Sequence, residues 1–225
     1  LITEDNYRRS IVHGMVNTST GEIEGHVELE LSGQFSTLTR SLYDYGMVDS
    51  SINPLYGKKV FHNRNVQFVD IHKTYSNGHT PYDRSYSMQY EMKTSDAGQN
   101  SEVFELSLNG FFPFIYWDEF DEQPRQLPFY GDFMGGDFIQ FNLVFDRPIE
   151  LLNGKELTLI HTLENRYGSI SLTIDQPDSQ QLTIKAYYNQ FAERVEPEKA
   201  HLISALYNGI ENLNQSVLRI RLLND

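Results

Sequence analysis

Apolar residues recur at every second position along most of this chain, and that period constrains its fold more than any other feature. In GHVELELSG, Val27, Leu29 and Leu31 share one side while Glu28 and Glu30 take the other, the pattern of a strand with one dry and one wet face. RSYSMQYEMK repeats it with Tyr86, Met88, Tyr90 and Met92, and FELSL with Phe104, Leu106 and Leu108. It returns at Ile139, Phe141, Leu143 and Phe145, at Leu157, Leu159, His161 and Leu163, at Ile170, Leu172 and Ile174, and at Leu182, Ile184, Ala186 and Tyr188. Tyr and Phe number 14 each, and aromatic side chains suit a pleated, half-buried surface.

The clusters NTSTGE, SNGHTPYD, TSDAGQN, DRPIELLNGKE and DQPDSQ separate these runs, and their Gly, Pro, Asn and Asp supply the backbone angles of reversals. The simplest arrangement is a meander with three hairpins, 84–93 with 101–108, 138–145 with 155–163, and 166–174 with 181–188. Alternation with one polar face points to antiparallel sheets, since parallel strands buried on both sides would be apolar throughout. One segment follows another period. Leu202, Ile203, Leu206, Ile210 and Leu213 recur at three and four, Pro197 suits a first turn, and Glu196 and Glu198 complement a helix N-terminus, predicting an amphipathic helix over about 197–213. Gly209 lies inside it, at a cost of about 1 kcal/mol relative to Ala. VLRIRLL then returns as a closing strand.

No linker, low-complexity tract or repeat divides the chain, so the expected organisation is one all-β domain over 1–225. The expected fold is an antiparallel β-sandwich of jelly-roll type, with a closed antiparallel barrel carrying the helix on its outside as the alternative. A chain of 225 residues can bury about 70% of its unfolded surface and needs no staple. Cys is absent, which excludes disulfides, thiol nucleophiles and thiolate metal sites. The first residue, Leu1, suggests a processed chain or an excised domain, and no run of about 18 apolar residues predicts a membrane span. The net charge is −13, with a pI near 4.9, so the mean field repels nucleic acid.

Between the strands ending near Leu108 and beginning near Phe138 lie about thirty residues, long for a loop in a compact domain. This stretch, NGFFPFIYWDEFDEQPRQLPFYGDFMGGDF, holds the chain's one Trp. Tyr116, Trp117, Phe120, Phe129 and Tyr130 could stack on sugar rings or anchor a protein partner, with Asp118, Asp121 and Asp132 accepting hydrogen bonds. The competing reading makes FFPFIYW a buried edge strand and LPFYGDF a cover over the end of the core. The acids also suit a calcium site of irregular type, although DEFDEQPRQ lacks the EF-hand spacing. No other metal site is expected, and GDFMGGD lacks a phosphate-loop signature.

The seven His, at 13, 26, 62, 72, 79, 161 and 201, form no HExxH and no helical ligand pair. His161 reads as a hydrogen-bonded core residue. No Ser-based catalytic motif occurs, so no catalytic constellation is evident and enzymatic activity stays an open question. KAYYNQ resembles the KAGxYxQ strand of jelly-roll alginate lyases, and FVDIHK stands where that family carries a Gln-Ile/Val-His strand. The resemblance implies Tyr188 as base and acid, His72 as its partner and Gln190 as a substrate contact. Ala186-Tyr187 departs from the family's Ala-Gly, Asp70 replaces its Gln, and GHVELELSG lacks its arginines.

The leading expectation is a non-enzymatic module that binds a glycan or a protein through the aromatic and acidic loop, in an extracytoplasmic, cell-surface or virion setting. It needs no cofactor. The alternatives are a polysaccharide lyase-like enzyme using Tyr188 and His72, and a barrel around a small apolar ligand.

Overall fold

The computed structural model describes residues 6–35, 69–75, 86–95, 98–100, 102–108, 111–112, 126–130 and 134–224. In chain order its strands are β1 (Tyr7–Val16), β2 (Glu22–Leu31), β3 (Val69–Tyr75), β4 (Tyr86–Ser95), β5 (Gly98–Asn100), β6 (Val103–Ser107), β7 (Phe129–Tyr130), β8 (Gly135–Phe145), β9 (Ile149–Leu151), β10 (Leu163–Asn165), β11 (Gly168–Asp175), β12 (Gln181–Gln190), β13 (Arg194–Val195) and β14 (Val217–Leu222). The helices are α1 (Gly154–Ile160) and α2 (Ala200–Asn214). Among the described residues the fold is mostly β, in three sheets, none closed into a barrel. The barrel alternative is thereby corrected.

The large sheet runs β10-β11-β12-β8-β1-β2-β4-β3, the smaller one β5-β6-β14-β9, and β13 pairs with β7 alone. The alternation of the sequence becomes two faces. Along β8, Asp137, Ile139, Phe141, Leu143 and Phe145 are buried while the residues between them are partly exposed. Their register neighbours Arg8, Ser10, Val12 and Val16 on β1 and Leu182, Ile184, Ala186 and Tyr188 on β12 continue the same buried face. Onto that face packs the smaller sheet, where Phe104 of β6 meets Phe145 of β8 edge to face at 6.0 Å. Phe111 and Phe112 close on Phe141 at 4.3 and 5.9 Å, so the first aromatics of the FFPFIYW run belong to the core.

α2 lies in the same layer as the smaller sheet. It buries Ile203, Leu206, Ile210 and Leu213, and a Cβ on Gly209 would stand 3.6 Å from Ile170 and 3.7 Å from Leu163. The helix extends to Asn214, through the segment that Gly209 weakens, because this packing outweighs a single unfavourable residue. The helix thus covers the β10–β11 side of the large sheet, not the outside of a barrel.

Of the three expected hairpins, only β11 with β12 forms. β4 pairs with β2 and β3, because all ten residues of β2 find a register with it, and β6 pairs with β5 and β14. β8 lies between β12 and β1 and runs parallel to β1, so the sheet is mixed and not antiparallel throughout. The long connection between β1 and β8 satisfies the crossover that parallel pairing demands. Of the segment expected as a strand over 155–163, residues 155–160 belong to α1 and Leu163 opens β10. Leu157 and His161, four apart, are buried, whereas Leu159 is 80% exposed, so the apolar alternation concealed a short helical face. Asn153 at its start bonds instead to β14, donating to the Val217 carbonyl at 2.9 Å and accepting from the Arg219 N–H at 2.9 Å.

Candidate functional site

The residues that sequence reasoning placed in the recognition loop divide into two groups. Tyr116, Trp117, Asp118, Asp121 and Asp132 lie outside the described residues. Tyr130 does not. It ends β7, beside Phe129, and the strand alternation sends Phe129 into the core and leaves Tyr130 63% exposed. The register partner of Tyr130 on β13 is Arg194, whose guanidinium carbon stands 5.9 Å from the ring centroid. Arg194 also pairs with Glu196 at 2.9 Å. Leu127, 77% exposed, comes three residues before Tyr130, and Phe191, 37% exposed, three before Arg194. An aromatic ring, a cation and two apolar side chains are therefore displayed on segments joined by a short backbone ladder.

Tyr188 and His72 are not brought together. The order of the large sheet puts β8, β1, β2 and β4 between β12 and β3. Five interstrand steps of about 4.8 Å separate the two positions by about 24 Å along the sheet. Tyr188 is buried on the inner face, and its hydroxyl donates to Gln190 Oε1 at 3.5 Å. Burial, with a smaller contribution from the Asp137 carboxylate, raises the Tyr188 pKa far above its ordinary value. A phenol so placed holds its proton and is a poor base at neutral pH.

The row that holds Tyr188 carries the strongest buried electrostatics among the described residues. Asp137 is its register partner on β8, and Arg8 is the partner of Asp137 on β1. Arg8 Nε donates to Asp137 Oδ1 at 2.8 Å and Nη2 to Oδ2 at 2.5 Å, with both side chains 2% exposed. Asn6 reinforces this end of the sheet, since its side-chain oxygen accepts the Gln34 N–H at 2.9 Å and its carbonyl accepts the Gly136 N–H at 3.0 Å. The geometry is that of an internal brace between β1 and β8.

Sequence reasoning missed a third place. His13 of β1 and His26 of β2 are register partners, and their rings stack with centroids 4.8 Å apart and planes 13° from parallel. Glu28, two residues on along β2, brings Oε1 to 3.9 Å from His26 Nε2. One ligand atom from each of the three lies within 4.8 Å of the others. The signal that would have found the pair is symmetry, since positions 13 and 26 mirror each other across the NTSTG turn. That turn is closed by Asn17, whose carbonyl accepts the Gly21 N–H at 2.8 Å while Gly21 takes a left-handed φ of 72°. His161, by contrast, is buried and shares a 2.7 Å hydrogen bond with the Ser216 hydroxyl, which fits its reading as a core residue although it caps a helix instead of lying in a strand.

No protein-family model matches the chain, and no curated protein and no solved structure matches it.

Proposed function

We propose that this chain is a binding module on a sandwich-like β scaffold, and that the surface around Tyr130 and Arg194 takes a protein partner. The observation that supports this reading is the exposed Tyr130 ring on the β7–β13 ladder, with the Arg194 guanidinium beside it and the exposed Leu127 three residues earlier in the chain. Tyr and Arg are enriched among residues that dominate protein interfaces, and a side chain held by strand backbone gives up little freedom on binding. A protein is favoured over a glycan because Arg194 approaches the ring face that a sugar would need and Leu127 and Phe191 add apolar area without hydrogen-bonding groups. The net charge of −13 would steer a basic partner toward the chain.

The test is to capture binders on the immobilised protein, identify one, and measure its Kd against the parent chain, Tyr130→Ala and Arg194→Ala. Each substitution should weaken binding at least about tenfold, the scale of an interface hot spot. An unchanged Kd for both variants refutes the assignment of the surface. Binding on a glycan array that Tyr130→Ala abolishes would transfer the same surface to a sugar ligand.

A further inference from the structure

We infer that the outer face of the β1–β2 hairpin is a binding site for a divalent transition metal, with Zn2+ as its best-matched ion and His13, His26 and Glu28 as its protein ligands. This site is independent of the Tyr130 surface.

The chemistry of the donor set selects the ion. Two imidazoles and one carboxylate suit Zn2+ and its first-row neighbours, whereas Ca2+ requires six or more oxygens and Mg2+ an octahedron of them. Three protein donors leave a position of a tetrahedral ion open to water or to a fourth group.

The geometry requires side-chain rotation, which must also tilt the stacked rings so that their in-plane lone pairs converge, but no change of backbone pairing. In tetrahedral coordination with Zn–N bonds of about 2.0–2.1 Å, ligand atoms stand about 3.3 Å from one another. Here the three ligand atoms lie within 4.8 Å. Side-chain rotation closes the difference, and the exposure of His26 at 52% and Glu28 at 48% leaves room for it. The backbone beneath is held close. His13 and His26 adjoin the Gly14–Gly25 register pair, and a Cβ on Gly25 would stand 1.9 Å from the His13 carbonyl oxygen. Any larger residue at position 25 would push the strands apart at the point where the two imidazoles must converge. Along the same strand pairings, Glu91 of β4 is the register partner of His26, and Gln89, the partner of Glu28, is itself opposite His72 of β3.

The experiment is calorimetric titration of the full chain with Zn2+, repeated with Co2+ to read coordination from its visible spectrum. One equivalent should bind, saturating Zn2+ should raise the Tm by mass action, and bound Co2+ should show the intense visible bands of a four-coordinate site. His13→Gln and His26→Gln should each weaken binding at least about tenfold and abolish the visible bands. Glu28→Gln should weaken it by a smaller factor, and His201→Gln, an exposed histidine on α2, should leave it unchanged. Circular dichroism matching the parent establishes that each variant is folded. These residues project from the wet face of the sheet, and His26→Gln and Glu28→Gln replace side chains that are about half exposed. The inference is overturned if the parent binds no Zn2+ below about 100 µM, a concentration at which even a Kd of 10 µM gives about tenfold excess. It is equally overturned if His13→Gln and His26→Gln bind as the parent does, or if Ca2+ binds as tightly as Zn2+.

Discussion

The Arg8–Asp137 pair offers the sharpest test of how this fold is held, because both side chains are 2% exposed and sit on the apolar face of the large sheet. Asp137→Asn preserves shape but replaces one of the two oxygens that accept from Arg8 with an NH2 donor and removes the carboxylate charge that faces the guanidinium. At an effective dielectric of about 20, two unit charges about 4 Å apart attract by about 4 kcal/mol. That agrees with the about 3–5 kcal/mol typically lost when one member of a buried pair is removed. With a urea m-value of about 3 kcal/mol/M, a loss of 4 kcal/mol moves the unfolding midpoint down by about 1.3 M. The double variant Arg8→Met, Asp137→Leu should recover much of the loss, since it removes both charges and their desolvation together. The assay is urea unfolding, followed by circular dichroism, of the parent, Arg8→Met, Asp137→Leu and the double variant, which closes a double-mutant cycle, with Asp137→Asn measured beside them. An Asp137→Asn loss under about 1 kcal/mol, or a double variant as unstable as the sum of the two single variants, would refute the account of the pair as a coupled internal brace.

Further expectations follow from the buried titratable groups and from the helix. Burial raises the Tyr188 pKa, with Asp137 adding to it, so the native state keeps the phenol neutral after the unfolded chain has begun to ionise near 10.0. Stability from this group is complete below pH 10 and declines as pH rises, and Tyr188→Phe should flatten the alkaline limb of a stability–pH profile; an unchanged limb would contradict the burial argument. Burial lowers the His161 pKa from 6.5, so its stabilising contribution is complete above that value and declines as pH falls, when the unfolded chain takes up the proton first. His161→Asn should therefore lessen the loss of stability between pH 7 and 5, as read by thermal melts. Gly209→Ala should stabilise the protein by about 1 kcal/mol in urea unfolding, because the added Cβ meets Ile170 and Leu163 only at ordinary contact distance; destabilisation would show that α2 packs more tightly on β10 and β11 than this.

The alternation in β8, β11 and β12 was legible because a half-buried strand writes its two faces directly into the residue order. The late helix was legible for the same reason at a different period, and the β11–β12 hairpin because DQPDSQ leaves few alternatives to a tight reversal. α1 was not legible, since a seven-residue helix in which Leu157 and the following cap residue His161 are buried and Leu159 is exposed satisfies a period of two on paper and a helical face in space. Within the loop, alternation at Phe129 and Tyr130 decides which of two adjacent aromatics is displayed, but composition alone could not tell that β7 exists.

Sequence by itself determined that this chain is built of strands with one wet face and carries an amphipathic helix near its end, because side-chain direction along a strand or helix is a local property. Only tertiary structure decided which strands are neighbours. Pairing is a contest among distant segments, settled by register length and by how the inner faces fill the space between layers, and nothing local encodes it. That contest set β8 parallel to β1 and so brought Asp137 to Arg8. It placed four strands between Tyr188 and His72. The closed β1–β2 hairpin turned two separate histidines into a stacked pair beside Glu28.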